Sequence, residues 1–464
     1  MRHKWRKLKV PDKTILWTHI LLISLFWSIF LNHSPLDSGF LITFSVFLIA
    51  LSLLLHKFEK QKYFFSNKVF FTLHLVVLIL ILLSLIGEKS DFLHLKPFDE
   101  GYLLFFVGSI VGVLSKTFLR TQPVGRLIVL SSVGILLASK NVFATVGFSL
   151  GNLVSADIYS RRRDTVWGIT AVAFGNLVFT LLLVGYWLQE SSSCIWKVLY
   201  LYPLSVVSEI FVLFGLQKLL DLLPFMYSDE KLEKLANISN PLIEKMMLEA
   251  PGTYHHSVMV SLLAESVAKK LGADALLTRV GGMFHDIGKL VNPHYFIENV
   301  NGENPHKRLK PEVSASIIKN HVEEGLSLAQ KYNLPEEVIR FIPEHQGTKL
   351  IKYFYYQALK ENPNADERKF RYSGPIPQSK ETAIVMITDT VEAMVRTLKN
   401  PTAQEIKQTV RKAIDMLKEE GQLLSSNLTE EELKTVEKLL TELILSYYHE
   451  RIKYPEKSKG EERV

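Results

Sequence analysis

Residues 281–289, Gly281-Gly282-Met283-Phe284-His285-Asp286-Ile287-Gly288-Lys289, set a histidine beside an aspartate in an apolar run of helical period. The stretch Ala275–Phe284 repeats apolar residues at three and four, as an amphipathic helix does. The same period recurs in Val258–Leu271, Val313–His321, Pro335–Ile342, Ala383–Leu398, Ala403–Lys418 and Thr429–Tyr448. Thr429 followed by Glu432 is a capping box that opens the last of these. No stretch alternates convincingly enough to build a sheet, so the C-terminal half is read as an all-α domain.

Adjacent His and Asp on a helix point about 100° apart, because a turn holds about 3.6 residues. The imidazole can then bind one metal ion while the carboxylate bridges to a second. Around the pair stands an ordered series of metal-type side chains: His255-His256 upstream, then His321, His345 and Asp389 downstream. A lone His-Asp pair is common; the series, each member on or ending a helical run, is specific. Two ions about 3.5–4 Å apart can activate a water and clamp a phosphodiester for in-line attack. Imidazoles and carboxylates without thiolate favour Fe, Mn, Co or Zn over Mg or Ca. His255 and His256 compete for the first ligand role, and the buried face of the helix that follows favours His256. Lys289, one turn after the pair, can reach a substrate phosphate, against the plainer alternative of a solvated lysine. His294 and His306 read as loop histidines, and His449 as a surface one.

Upstream of about Gly215 the composition changes to long apolar runs. A helix needs about 20 mostly apolar residues, with about 17 as a lower limit, to cross a bilayer. Ile15–Leu31, Gly39–His56, Val69–Gly87, Gly101–Leu119, Val166–Leu188 and Ile195–Gly215 meet that need. Between the fourth and fifth lies Leu127–Asp157, apolar but broken at Ser139-Lys140-Asn141. Basic loops mark the cytoplasmic side. Lys57–Lys68, Lys116 with Arg120 and Arg126, and Arg161–Arg163 are basic, whereas Glu88–Glu100 is acidic and falls outside. Both ends of the broken segment are therefore inside, and it must enter and return, as two tight crossings or a re-entrant hairpin. Its polar residues, among them Ser131, Ser132 and Asn152, face protein or a water-filled cavity; a ligand pocket and plain helix–helix hydrogen bonds are both open. No cleavage pattern follows the first run, so it is read as a retained membrane helix.

The net charge of +7 is modest, and much of the basic excess flanks apolar runs, in Arg2–Lys7 and Arg161–Arg163. That suits a lipid bilayer as partner and argues against nucleic acid. The single cysteine, Cys194, excludes an internal disulfide framework and cysteine-rich zinc sites.

The segments 249–257 (EAPGTYHHS), 285–289 (HDIGK), 303–306 (ENPH), 371–375 (RYSGP) and 378–381 (QSKE) carry a resemblance. Together they resemble the seven-transmembrane HD phosphohydrolase family, whose characterised members hydrolyse cyclic di-AMP to linear pApA. The resemblance covers nearly the whole chain, by motif in the soluble half and by layout alone in the membrane half. It implies that His256, His285, Asp286 and Asp389 hold one metal ion and that Asp286, His321 and His345 hold another, Fe or Mn. It places the substrate near Lys289 and the Arg371-Tyr372 loop. Two departures stand out. Family members usually carry a large external domain after the first membrane helix, where this chain has only Asn32–Ser38. They also often carry His-His where this chain has His345-Gln346, which makes Gln346 a neighbour of the second metal site.

The expected organisation is a polytopic transmembrane helical bundle followed by a cytoplasmic, all-helical catalytic domain. Its parts are a basic N-terminus (1–14), the membrane domain (15–216), a connector (217–240), the HD domain (241–455) and a disordered tail (456–464). The expected activity is metal-dependent hydrolysis of a cyclic dinucleotide at the inner membrane. An HD hydrolase of another nucleotide (cyclic di-GMP, guanosine tetraphosphate or a deoxynucleotide) and a non-catalytic nucleotide receptor are the rivals, and a homo-oligomer is compatible with the sequence.

Overall fold

The computed structural model describes residues 72, 73, 76, 109–119, 124, 125, 127, 128, 131, 132, 142–190, 194–223, 225–300, 302–399 and 401–449. The expected crossings Ile15–Leu31 and Gly39–His56, most of Val69–Gly87, the loops Lys57–Lys68 and Glu88–Glu100, the break at Ser139-Lys140-Asn141 and the two termini lie outside them. The chain divides at Lys231 and Leu232 into two compact units. Every regular element among the described residues is helical, apart from one isolated antiparallel bridge between Leu350 and Arg371.

In the first unit, α1 (Ile110–Leu119), α2 (Val142–Arg161), α3 (Thr165–Glu190) and α4 (Cys194–Leu220) pack through small residues. A Cβ at Gly175 would lie 2.6 Å from Gly151 O and 2.7 Å from Ser109 Cβ, so these helices approach to backbone distance. Among the described residues, Ser109, Ser131, Ser132, Asn152 and Glu209 are bonded internally. Asn152 Oδ1 accepts from Gly112 N at 2.8 Å, and Glu209 accepts from both the backbone N–H and the hydroxyl of Ser109, just before α1 begins. Ser131 and Ser132 donate to Leu127 O and Ile128 O at 2.7 Å. Those bonds are the helix-internal and helix–helix kind that an apolar surrounding demands.

Thr165–Leu182 of α3 and Tyr202–Leu220 of α4 are long and apolar enough to cross a membrane. Their outer faces expose Val166 (70%), Leu181 (61%) and Phe211 (75%). The helix expected to end at Gly215 continues to Leu220.

In the second unit, α5 (Asp229–Leu235, which begins in the first unit) and α6 (Pro241–Glu249) lead into α7 (Pro251–Lys270) and α8 (Ala275–Phe284). Asn240 caps α6, with Pro241 at its first position. Asp274 caps α8 by accepting from Leu277 N. A series of 3₁₀ turns then leads to α9 (Pro311–Lys331), the one-turn helices α10 (Glu336–Ile339) and α11 (Phe341–Glu344), and α12 (Lys352–Glu361). Last come α13 (Lys380–Arg396), α14 (Ala403–Glu419) and α15 (Glu430–His449). Capping boxes open α13 at Ser379 and α14 at Thr402. The buried stripe of α14, Ile406, Val410, Ala413, Ile414 and Leu417, shows the period that the sequence announced.

Two readings need correction. Pro335–Ile342 is not one helix but α10 and the start of α11. The His-Asp pair does not lie within a helix either: α8 ends at Phe284, His285 caps it, and Asp286 (φ −110°, ψ 15°) leaves the helix for the 3₁₀ turn Ile287–Val291. The divergence of the two side chains is set by this helix ending, not by the 100° step.

Candidate metal centre

The second unit brings six buried side chains to one place: His256 from α7, His285 and Asp286 from the end of α8, His321 from α9, His345 after α11, and Asp389 from α13. Asp286 stands at the centre, and its oxygens face different histidine pairs. Oδ2 lies 3.2 Å from His285 Nε2 and 3.6 Å from His256 Nε2. Oδ1 lies 3.4 Å from both His321 Nε2 and His345 Nε2. Asp389 Oδ1 approaches His256 Nε2 at 3.1 Å and His285 Nε2 at 4.0 Å. The neighbouring His255 is exposed.

The packing that gathers these groups is tight at glycine. A Cβ on Gly281 would meet the Phe341 ring at 2.4 Å, and one on Gly288 would meet His321 O at 1.8 Å. Glu344, buried at the end of α11, accepts from Gln378 N at 2.8 Å and Thr382 Oγ1 at 2.7 Å. It thereby ties the His345 turn to the start of α13.

Each histidine has its outward nitrogen engaged. His285, His321 and His345 donate from Nδ1 to Gly282 O (2.6 Å), Ile318 O (2.6 Å) and Ile342 O (2.7 Å). His256 Nδ1 instead meets Glu392 Oε2 at 2.8 Å, and Arg396 clamps that carboxylate. Fixing Nδ1 turns each Nε2 toward the cluster, where a neutral ring presents its lone pair to a metal ion. His285 Nε2, His321 Nε2 and Asp286 Oδ1 are buried with no hydrogen-bond partner. Buried polar atoms are normally satisfied, so three orphans around the Asp286 carboxylate mark places for cations. His256, His285 and Asp389 form one group able to hold a metal ion, and His285, Asp286 and His345 another.

The charges follow. Burial disfavours the Asp286 carboxylate, but Lys289 and then His285 outweigh it and hold the group well below the carboxylate range. Asp389 is likewise depressed, with its bond to His256 and the charge of Lys349 overcoming burial. Burial also works against a charged His256, yet hydrogen bonds to Asp389 and Glu392 raise it to about 9. Burial takes His321 down to about 4.

The remaining expected residues are distributed unequally. Lys289 joins the cluster, donating to Asp286 Oδ2 at 2.8 Å and Glu298 Oε1 at 2.6 Å. Tyr372 is set against His321, ring centres 6.0 Å apart. Gln346 lies at the edge, its Nε2 donating to His345 Nε2 at 2.9 Å. Arg371 is turned to other partners, Glu367 Oε1 at 2.6 Å and Thr348 O at 3.0 Å. Glu392, Glu298 and Lys349 were not anticipated. Glu392 was findable, three residues after Asp389 on one helix face; Glu298 and Lys349 are brought in by loops and carry no local signal.

Residues 253–394 match the profile of the HD domain. This stretch is an HD domain. Around it, the chain is 34% identical over 447 residues to the cyclic-di-AMP phosphodiesterase PgpH of Bacillus subtilis (strain 168), covering 92% of this chain and 62% of that protein. The namesake from Listeria monocytogenes serotype 1/2a is 33% identical over 432 residues, covering 89% of this chain and 58% of its own. The chain thus spans less than two thirds of the length of these curated relatives. The crystal structure of the L. monocytogenes PgpH HD domain in complex with cyclic-di-AMP aligns over 46% of this chain and 100% of its own, at 43% identity and a TM-score of 0.45.

Proposed function

We propose that the chain is a membrane-bound phosphodiesterase that hydrolyses cyclic di-AMP to linear pApA in its HD domain, using two divalent transition-metal ions, Fe or Mn. The observation that carries this reading is the division of Asp286, one oxygen toward each histidine pair. His256, His285, Asp286 and Asp389 would hold one ion, and Asp286, His321 and His345 the other. Ions bound there supply the acidity that makes water a nucleophile at neutral pH and neutralise charge on the phosphoryl oxygens. The chain's own part is preparation. Backbone carbonyls and Glu392 hold the imidazoles in their ligating tautomer, and Lys289 with Glu298 pins Asp286 as a carboxylate. The names of the two curated relatives support cyclic di-AMP as substrate.

The apolar helices α3 and α4, with large side chains turned outward, support a membrane domain over 15–216. On this reading a connector spans 217–240 and the HD domain spans 241–455 on the cytoplasmic side. The test is hydrolysis by the detergent-purified full chain, loaded with Mn or Fe, against cyclic di-AMP, cyclic di-GMP, guanosine tetraphosphate and deoxynucleotides. Conversion of cyclic di-AMP to pApA, reduced to background in Asp286→Ala, is expected. Turnover of a different nucleotide with cyclic di-AMP left intact would assign another substrate, and binding without turnover of any would make the domain a receptor.

A further inference from the structure

Four basic side chains lie in or beside the candidate site, and their bonding separates them. Arg396 is committed to Glu392 at 2.5 Å. Lys289 is committed to Asp286 and Glu298 at 2.8 and 2.6 Å. Arg371 is committed to Glu367 and the Thr348 carbonyl at 2.6 and 3.0 Å. Lys349 is different. Its Nζ lies 3.7 Å from Asp389 Oδ2 and 3.5 Å from Thr390 Oγ1, and its side chain is only 15% exposed. Neither separation gives a full-strength hydrogen bond. A nearly buried ammonium with under-used donors therefore stands on the Asp389 edge of the ligand cluster.

Its backbone, by contrast, is held from every side. Thr348 N donates to Gln422 Oε1 at 3.0 Å, and Gln422 Nε2 donates to Thr348 Oγ1 at 2.9 Å. Lys349 N donates to Gln346 O and Lys349 O accepts from Tyr372 N, both at 3.1 Å. Gly347 turns the loop at φ +55°, where a Cβ would come within 2.4 Å of Gln422 Oε1. A rigid backbone that delivers a loosely bonded ammonium is suited to meeting an anion from outside, because little further ordering is needed on binding.

We propose that Lys349 receives a phosphoryl oxygen of the substrate beside the metal cluster, with Gln422 and Arg371 as positioning residues for its loop. The assignment rests on the phosphodiesterase reading above and gives Lys289 a different duty, holding Asp286.

The experiment compares full-length wild type, Lys349→Met and Lys349→Arg, purified in detergent and loaded with Mn. Bound metal is measured by elemental analysis, affinity for radiolabelled inorganic phosphate by equilibrium dialysis, and kcat and KM with cyclic di-AMP. A charge-assisted bond to phosphate corresponds to about 10- to 100-fold in affinity. Lys349→Met should lose that much phosphate affinity at unchanged metal content, with kcat/KM falling in parallel, and Lys349→Arg should recover part of both. If Lys349→Met does not fold, Lys349→Gln takes its place with the same expectation. Wild-type phosphate affinity in the neutral variant overturns the proposal. A loss of phosphate binding that follows a loss of metal does so too, since it makes Lys349 a support for Asp389. Weakened phosphate binding in a protein whose wild type leaves cyclic di-AMP intact sinks the substrate reading and leaves the lysine assignment standing.

Discussion

Among the cluster's four histidines, His256 is the exception, because its Nδ1 partner is a carboxylate rather than a backbone carbonyl. Without metal its pKa is raised to about 9 by Asp389 and Glu392 against the effect of burial, so the ring keeps its proton at neutral pH. A metal ion must expel that proton, since only the neutral ring ligates. The sign follows: affinity at the His256 site should rise about tenfold per pH unit while the pH is below about 9, then level off. His321, brought to about 4 by burial, is already neutral there and adds no such dependence. Glu392→Gln should move the levelling point to lower pH. Mn titrations of the metal-free full chain from about pH 6 to 9, with proton release recorded, check this; a pH-independent affinity would count against it. His256 itself was legible as the histidine on the buried face of its helix. Glu392 became significant only when α7 and α13 were packed together.

The 3₁₀ turn after α8 lies against α9, and glycine permits the contact. A Cβ at Gly288 would stand 1.8 Å from His321 O and 2.5 Å from Gly325 N, both backbone atoms of a helix that cannot give way locally. Gly288→Ala should therefore push the Asp286 turn away from His321. Overpacking of this kind costs about 3 kcal/mol or more where backbone opposes backbone. The expected outcome is a lowered thermal midpoint together with loss of the ion proposed for Asp286, His321 and His345, read by elemental analysis. A variant with wild-type midpoint and metal content would show that the turn adapts. The helices themselves were mostly readable, Ala275–Phe284 to the residue, because their apolar stripes repeat at three and four. The helix Lys352–Glu361 was missed, since its aromatic run Tyr353-Phe354-Tyr355-Tyr356 shows no such stripe.

For the molecule as a whole, the basic and acidic loops carry the prediction. Residues 88–100 should face outward, with Lys57–Lys68, Arg161–Arg163 and the HD domain in the cytoplasm. In a chain with Cys194 replaced, Ser90→Cys should react with an impermeant thiol reagent on intact cells, and Ser66→Cys should not. The opposite labelling would invert the topology. The two exposed apolar helices α3 and α4 fit a lipid surrounding, which would cover side chains that water leaves at a cost.

The helical class, the apolar first half and the ordered series of histidines and aspartates were determined by the sequence alone, because periodicity, hydropathy and ligand chemistry are local properties. Local order could not show that Asp286 turns one oxygen to each histidine pair, since that depends on α8 ending at Phe284 and on α7, α9 and α13 closing around the turn. Nor could it rank the basic residues. Lys289, Arg371 and Lys349 carry the same charge in the sequence, and only their partners in three dimensions decide which of them still has hydrogen-bond capacity to give.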